Sequence, residues 1–124
     1  MTHITESGTV GLLSLALDAA AMRQQAIARN IANANTPDYQ RIGVSFEDRI
    51  AALRPSLGQG PAPSLASLGD YRPVFEAVGA AGEPVGLDTE MAALSENTLH
   101  HQVLLKALNK HFALLGSAIN EGKR

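Results

Sequence analysis

Both ends of this chain are long stretches without proline, and each carries a seam of residues at alternating spacings of three and four. The first seam runs through Val10, Leu13, Leu17, Ala20, Gln24, Ile27, Ile31 and Ala34. The second runs through Met91, Leu94, Thr98, His101, Leu105, Leu108, Phe112, Leu115 and Ile119. That period keeps one stripe of a helix turned toward a partner over many turns, as in a coiled coil. Ala, Leu, Gln, Arg and Met dominate the first stretch, and these residues lose little on entering a helix. The expected architecture is therefore mainly α. Two long terminal helices pair as an antiparallel coiled-coil-like hairpin, joined by a Pro/Gly-rich middle segment that contains at most a short β-hairpin.

Breakers divide the chain. Residues 1–8 are polar enough to read as a flexible N-terminus, and residues 9–36 as the N-terminal helix. Pro37 forbids further helix and biases Thr36 toward extended backbone. Residues 37–54 then read as a turn, an extended stretch over 40–44 and a short helix. Ser45 is the expected cap of that helix, and Phe46, Ile50 and Leu53 share its apolar face. From 55 to 86 the character changes, because five of the six prolines and six of the eleven glycines fall there. That composition reads as a variable insert. Within it, residues 71–75 and 85–87 are candidate edge strands joined through the 79–84 turn, with Pro73 barring the first from a central position. Residues 87–121 form the C-terminal helix, about 50 Å long at 1.5 Å per residue. Asp88 is its expected N-cap, Glu90 complements the positive end of its dipole, and Lys123 and Arg124 face the negative end.

Composition removes several function classes. Ten basic and twelve acidic side chains leave a formal net charge of -2, which lacks the cationic footprint of a nucleic-acid binder. With no cysteine there is neither disulfide nor thiolate chemistry. Apolar runs fall far short of the roughly 20 residues that span a bilayer, and residues 1–8 do not read as a cleavable secretory signal. Gly58, Gly60 and Gly69 lack phosphate-loop spacing, and no nucleophile elbow or paired carboxylates suggest catalysis. On one helix His100 and His111 lie about 16 Å apart and His100 and His101 point about 100° apart, so no two share a metal ion. They read as packed or interfacial histidines. No cofactor, metal or small-molecule substrate is expected.

Aromatic residues make up only 4% of the chain, so any core is built from Ala and Leu and buries modest area. Two such helices cover one stripe of each other; Leu12, Leu99, Val103, Leu104 and Leu114 would stay wet without further partners. Asn30 and Asn33 lie on one helical face, where their amides can hold the backbone as it turns away. Equally, the run Asn33, Ala34, Asn35, Thr36, Pro37, Asp38, Tyr39 reads as an ordinary helix C-terminus followed by a turn.

The stretch from Ala28 to Tyr39, ARNIANANTPDY, resembles the N-terminal signature of flagellar axial proteins, the rod and hook family, in which a helix ends in a run of the form NIANANTPGY. Asp38 stands where that pattern has glycine, so the expected turn is type I rather than type II, which needs a positive φ there. The C-terminal segments LDTEM (87–91), ENTL (96–99), QVLLKALNK (102–110) and FALLGSAI (112–119) are similar to the ending of proximal rod members of that family. The resemblance implies a non-enzymatic structural subunit of the bacterial flagellar rod, located in the periplasm and exported by the flagellar type III apparatus without a cleaved signal. It implies as partners copies of the same chain, other rod proteins, a rod-to-membrane-ring adaptor and the type III export gate. The seam residues become the expected subunit interface, and Asn30, Asn33, Asn35, Thr36, Pro37, Asp38 and Tyr39 the signature turn. A competing reading is a cytoplasmic helical-hairpin chaperone that binds an amphipathic helix.

Overall fold

The computed structural model describes residues 2–51 and 71–122, with side chains described from Gly8 onward. In chain order the elements are α1 (Thr2–Ala32), β1 (Ile42–Ser45), α2 (Glu47–Ala51), β2 (Val74–Ala77) and α3 (Leu87–Gly122). The fold is mainly α, as expected. α1 packs on α3 and on β1. The helices run antiparallel, because Asn30 meets Glu90 while Ala20 and Gln24 meet Asn97 further along.

α1 begins at Thr2 rather than near residue 9, so the stretch expected to be flexible forms its first turns. Once later turns are nucleated, adding residues costs little, and no proline stands in the way. At the other end Asn33 N–H still bonds Arg29 O at 3.0 Å, and the tighter Ala34 N–H to Ile31 O bond at 3.2 Å closes the helix. α3 starts one residue before the expected cap. Gly86 C=O accepts the Glu90 N–H at 2.9 Å, which gives Gly86 the N-cap position and leaves Asp88 in the first turn. Likewise Phe46 C=O accepts from Ile50 N–H at 3.0 Å, so Phe46 and not Ser45 opens α2. Leu53, the glycines at 58, 60 and 69, and Lys123 and Arg124 lie outside the described residues.

The two strands form an antiparallel ribbon with Ile42 opposite Ala77 and Ser45 opposite Val74. This corrects the expected hairpin, since residues 85–87 form no strand and β2 pairs back to β1 instead. The 79–82 turn carries glycines at φ 77° and 78°, a conformation costly for residues with a Cβ, and directs the chain into α3 rather than back along β2.

Among the described residues, the buried apolar side chains are Ala19, Ala20, Ala26, Ile27 and Phe46. Three alanines let α1 come close to its neighbours, but only Ile27 and Phe46 bring large burial, worth about 1.5–3 kcal/mol each. The core is thin for helices this long.

Candidate assembly interface

The signature turn is built around one amide. Asn30, 1% exposed, donates from Nδ2 to Ile42 O at 2.8 Å and accepts at Oδ1 from Ile42 N at 3.0 Å. It thereby bonds β1 as a neighbouring strand would, with donor and acceptor on one residue. Tyr39 Oη donates to the same Oδ1 at 2.9 Å. Asn33 does a different job. Its Nδ2 donates to Arg29 O at 2.9 Å, a carbonyl that also accepts the Asn33 N–H, and its Oδ1 accepts from Thr36 Oγ1 at 3.1 Å, so it ties the last turn of the helix to the turn that follows. Of the two readings open at sequence level, Asn30 follows the backbone-holding one and Asn33 the local C-terminal one. Asn35, Thr36, Pro37 and Asp38 are exposed.

Asp38 has φ 59°, and Tyr39 N–H bonds Thr36 O at 3.4 Å. The left-handed φ belongs to the third position of a type II turn and excludes the type I turn expected from aspartate. A short polar side chain tolerates that region better than most, and the Asn30–Tyr39 and Asn30–Ile42 bonds hold the flanking chain in place.

Glu90 completes the knot. It is 2% exposed, and it accepts from Arg41 Nε at 2.6 Å on Oε1 and from Asn30 Nδ2 at 3.4 Å on Oε2. A buried carboxylate is tolerated only with such partners, and here they tie α3 to both α1 and β1. It also stands in the first turn of α3, as expected for a carboxylate complementing the helix dipole, and adds a tertiary role to that one. On the other flank, Arg23 pairs with Glu47 at 2.6 Å, linking α1 to α2. Arg23, Glu47, Val44, Ala93, Glu96, Asn97 and His100 line a groove of about 470 Å³ where the elements meet.

The second seam splits in two. Leu94, His101, Leu108 and Leu115 do lie on the stripe of α3 that is shielded from solvent. The alternate positions on that stripe are Glu90, Asn97, Leu104 and His111, each one residue before the expected Met91, Thr98, Leu105 and Phe112. One residue turns a helix by about 100°, so those four and Ile119 face outward. Asn97 Nδ2 donates to Ala20 O and Gln24 Oε1, both at 2.9 Å, which secures a polar residue inside the pair. On α1, Ala20 and Ile27 are buried, Val10, Leu13, Leu17 and Ile31 half-buried, and Gln24 exposed beside its bond to Asn97; Ala34, just past the helix, is half-buried as well. Of the residues expected to stay wet, Leu104 enters the pair, while Leu12, Leu99, Val103 and Leu114 remain exposed.

α3 therefore presents two outward apolar stripes. Met91, Leu105, Phe112 and Ile119 follow the edge of the paired face, and Leu99, Val103 and Leu114 lie on its back, the last three at 60% exposure or more. Glu90 and Arg41 were missed as tertiary partners because hydrophobicity alone ranks Met91 above Glu90 for an inward position. The signal was the heptad through residues 90, 97, 104 and 111, one step earlier than the apolar one. His100 is exposed while His101 and His111 lie on the shielded stripe, and among the described residues no three His, Cys, Asp or Glu side chains cluster as a metal site.

Residues 13–40, which run from the middle of α1 through the Asn30 knot to the turn, match the family described as Flagella basal body rod protein. Over 132 residues the chain is 31% identical to the flagellar basal body rod protein FlgB of Bacillus subtilis (strain 168), an alignment that covers 94% of this chain and 97% of that one. It is 29% identical over 125 residues to the FlgB of Escherichia coli (strain K12), covering 86% and 89% respectively.

Proposed function

The chain belongs to the FlgB family of flagellar basal body rod proteins, and from that premise we propose that it builds the proximal rod through the outward stripes of α3 and the matching side of α1. It is a structural subunit of the bacterial flagellar basal body. In our reading it has no catalytic role. The helix pair is the unit that stacks, with copies of itself and with other rod proteins. The end carrying the signature turn and the ribbon meets the rod-to-membrane-ring adaptor and the export gate. The rod lies in the periplasm, reached through the type III apparatus without a cleaved signal.

The observation that carries this reading is the exposure of Leu99, Val103, Phe112, Leu114 and Ile119 on one helix, each at 50% or more. A chain that worked alone would leave that apolar area in water at about 25 cal/mol per Å². Neighbouring subunits remove it. The subunit interface is accordingly assigned to Leu99, Val103 and Leu114 on the back of α3, to Met91, Thr98, Leu105, Phe112 and Ile119 along its edge and to Leu13 and Leu17 of α1, with Leu94, His101, Leu108 and Leu115 serving first the pair inside each subunit.

Leu105→Asp tests it in cells that lack the native gene. The expected outcome is a variant still exported but absent from purified basal bodies, with non-motile cells. Motile cells with normal rods would overturn the proposal.

A further inference from the structure

The two edges of the ribbon are not alike. Val78 N–H bonds Arg41 O at 2.9 Å, and the register continues from that pair. Antiparallel strands alternate, so the 43/76 and 45/74 pairs exchange bonds, while Ile42, Val44, Phe75 and Ala77 point their N–H and C=O groups away from the opposing strand. On the β1 side, the outward groups of Ile42 are both taken by Asn30. On the β2 side, the outward groups of Phe75 and Ala77 have no partner among the described residues. All four β2 residues are exposed, Val74 at 45% and Phe75 at 40%. No proline, lysine or bulge within β2 blunts this edge.

We propose that the outer edge of β2 receives an extended segment of a different polypeptide, with a lysine or arginine opposite Glu76 and an apolar residue opposite Val74. This rests on the rod-subunit reading and names one of its partners by chemistry. A second copy fits poorly. Antiparallel pairing of β2 with its own copy through residues 75 and 77 sets Glu76 against Glu76 in the close, non-bonded position, where Cα atoms stand about 4.5 Å apart and like charges repel. Shifting the register to place Phe75 opposite itself brings Ala77 against Pro73, which has no N–H to return. Placing Ala77 opposite itself brings Phe75 against Gly79, whose φ of 77° has already left the strand, and each of these contacts is two-fold and closes at a dimer instead of extending along a rod. Glu76 and Val74 share the outward face of the ribbon, so charge and apolar preference fall on alternate residues of one incoming strand.

The test uses full-length protein in motile cells, with a photo-crosslinking phenylalanine introduced at Val74 and the product mapped by mass spectrometry. The expected product joins Val74 to a different chain, at an extended segment with a lysine or arginine within two residues of the link. Glu76→Lys should lower its yield about fivefold. Ala77→Pro should bring it to background and stop motility, because it removes an outward N–H that the ribbon itself does not use; an unchanged circular dichroism melt verifies that the variant folds. Cross-links between copies of this chain, or no cross-link together with a motile Ala77→Pro strain, overturn the proposal. Failure here with a non-motile Leu105→Asp strain leaves the rod-subunit reading standing, whereas a motile Leu105→Asp strain removes that reading itself.

Discussion

Among the described residues, Asn30 concentrates the most side-chain bonding in one amide. Its amide serves Ile42 N–H, Ile42 C=O and Tyr39 Oη, and it touches the Glu90 carboxylate. Removing it leaves buried groups without partners, which costs far more than the net worth of the bonds. Asn30→Ala should therefore lower stability by about 2–4 kcal/mol, read as a drop in the urea midpoint at constant slope. Asn30→Asp keeps the shape but loses the donor to Ile42 O and sets a second carboxylate beside Glu90. It should be at least as damaging, and a near-native midpoint would contradict the hub role. Asp38 makes a contrasting case. At φ 59° glycine is at ease, but it adds freedom to the unfolded chain, so Asp38→Gly should change stability by no more than about 0.5 kcal/mol. Asp38→Val has no such refuge and should cost about 1–3 kcal/mol in the same melts.

Between elements, the helix pair depends on small residues rather than large ones. Ala19, Ala20 and Ala26 are each 1% exposed, so α1 meets its neighbours almost at backbone distance. Ala20 O also accepts from Asn97, which pins the register of α3 against α1 at a point where apolar contacts alone would permit sliding. Ala20→Leu would force the helices apart and break that bond. A loss of about 1–3 kcal/mol from overpacking is expected, measured by thermal unfolding. A neutral result would show that the helices have room to spare.

For the whole molecule, the two sides of α3 separate folding from assembly. Leu108 is half-buried against α1, whereas Leu105 and Phe112 face out at 40% and 50%. Leu108→Asp should destabilise the isolated subunit, because it puts a charge into the stripe of α3 that is shielded from solvent. Leu105→Asp should leave the circular dichroism melt of dilute protein nearly unchanged and act only where subunits meet. Equal effects of the two on the dilute melt would mean that α3 is buried differently from this account. The thin core has a further consequence. Helicity of the wild-type chain should rise with concentration, since neighbours supply the cover that Ile27 and Phe46 cannot.

Much of this molecule was legible from local pattern. Helix periodicity marked both long helices and their antiparallel pairing, Pro37 marked the stop, and the Asn-rich run marked the turn, because helix propensity, proline geometry and side-chain amides act over a few neighbouring residues. Tertiary structure decided which face of α3 turns inward, that Asp38 takes a left-handed φ, and that β2 pairs with β1 rather than with residues 85–87. In each instance the deciding group is distant in sequence. Arg41 and Asn30 make Glu90 affordable inside, Ala20 and Gln24 do the same for Asn97, and the Asn30 amide fixes both β1 and the chain beside Asp38. A polar residue's place is set by the partner that meets it, and the chain brings that partner near only by folding.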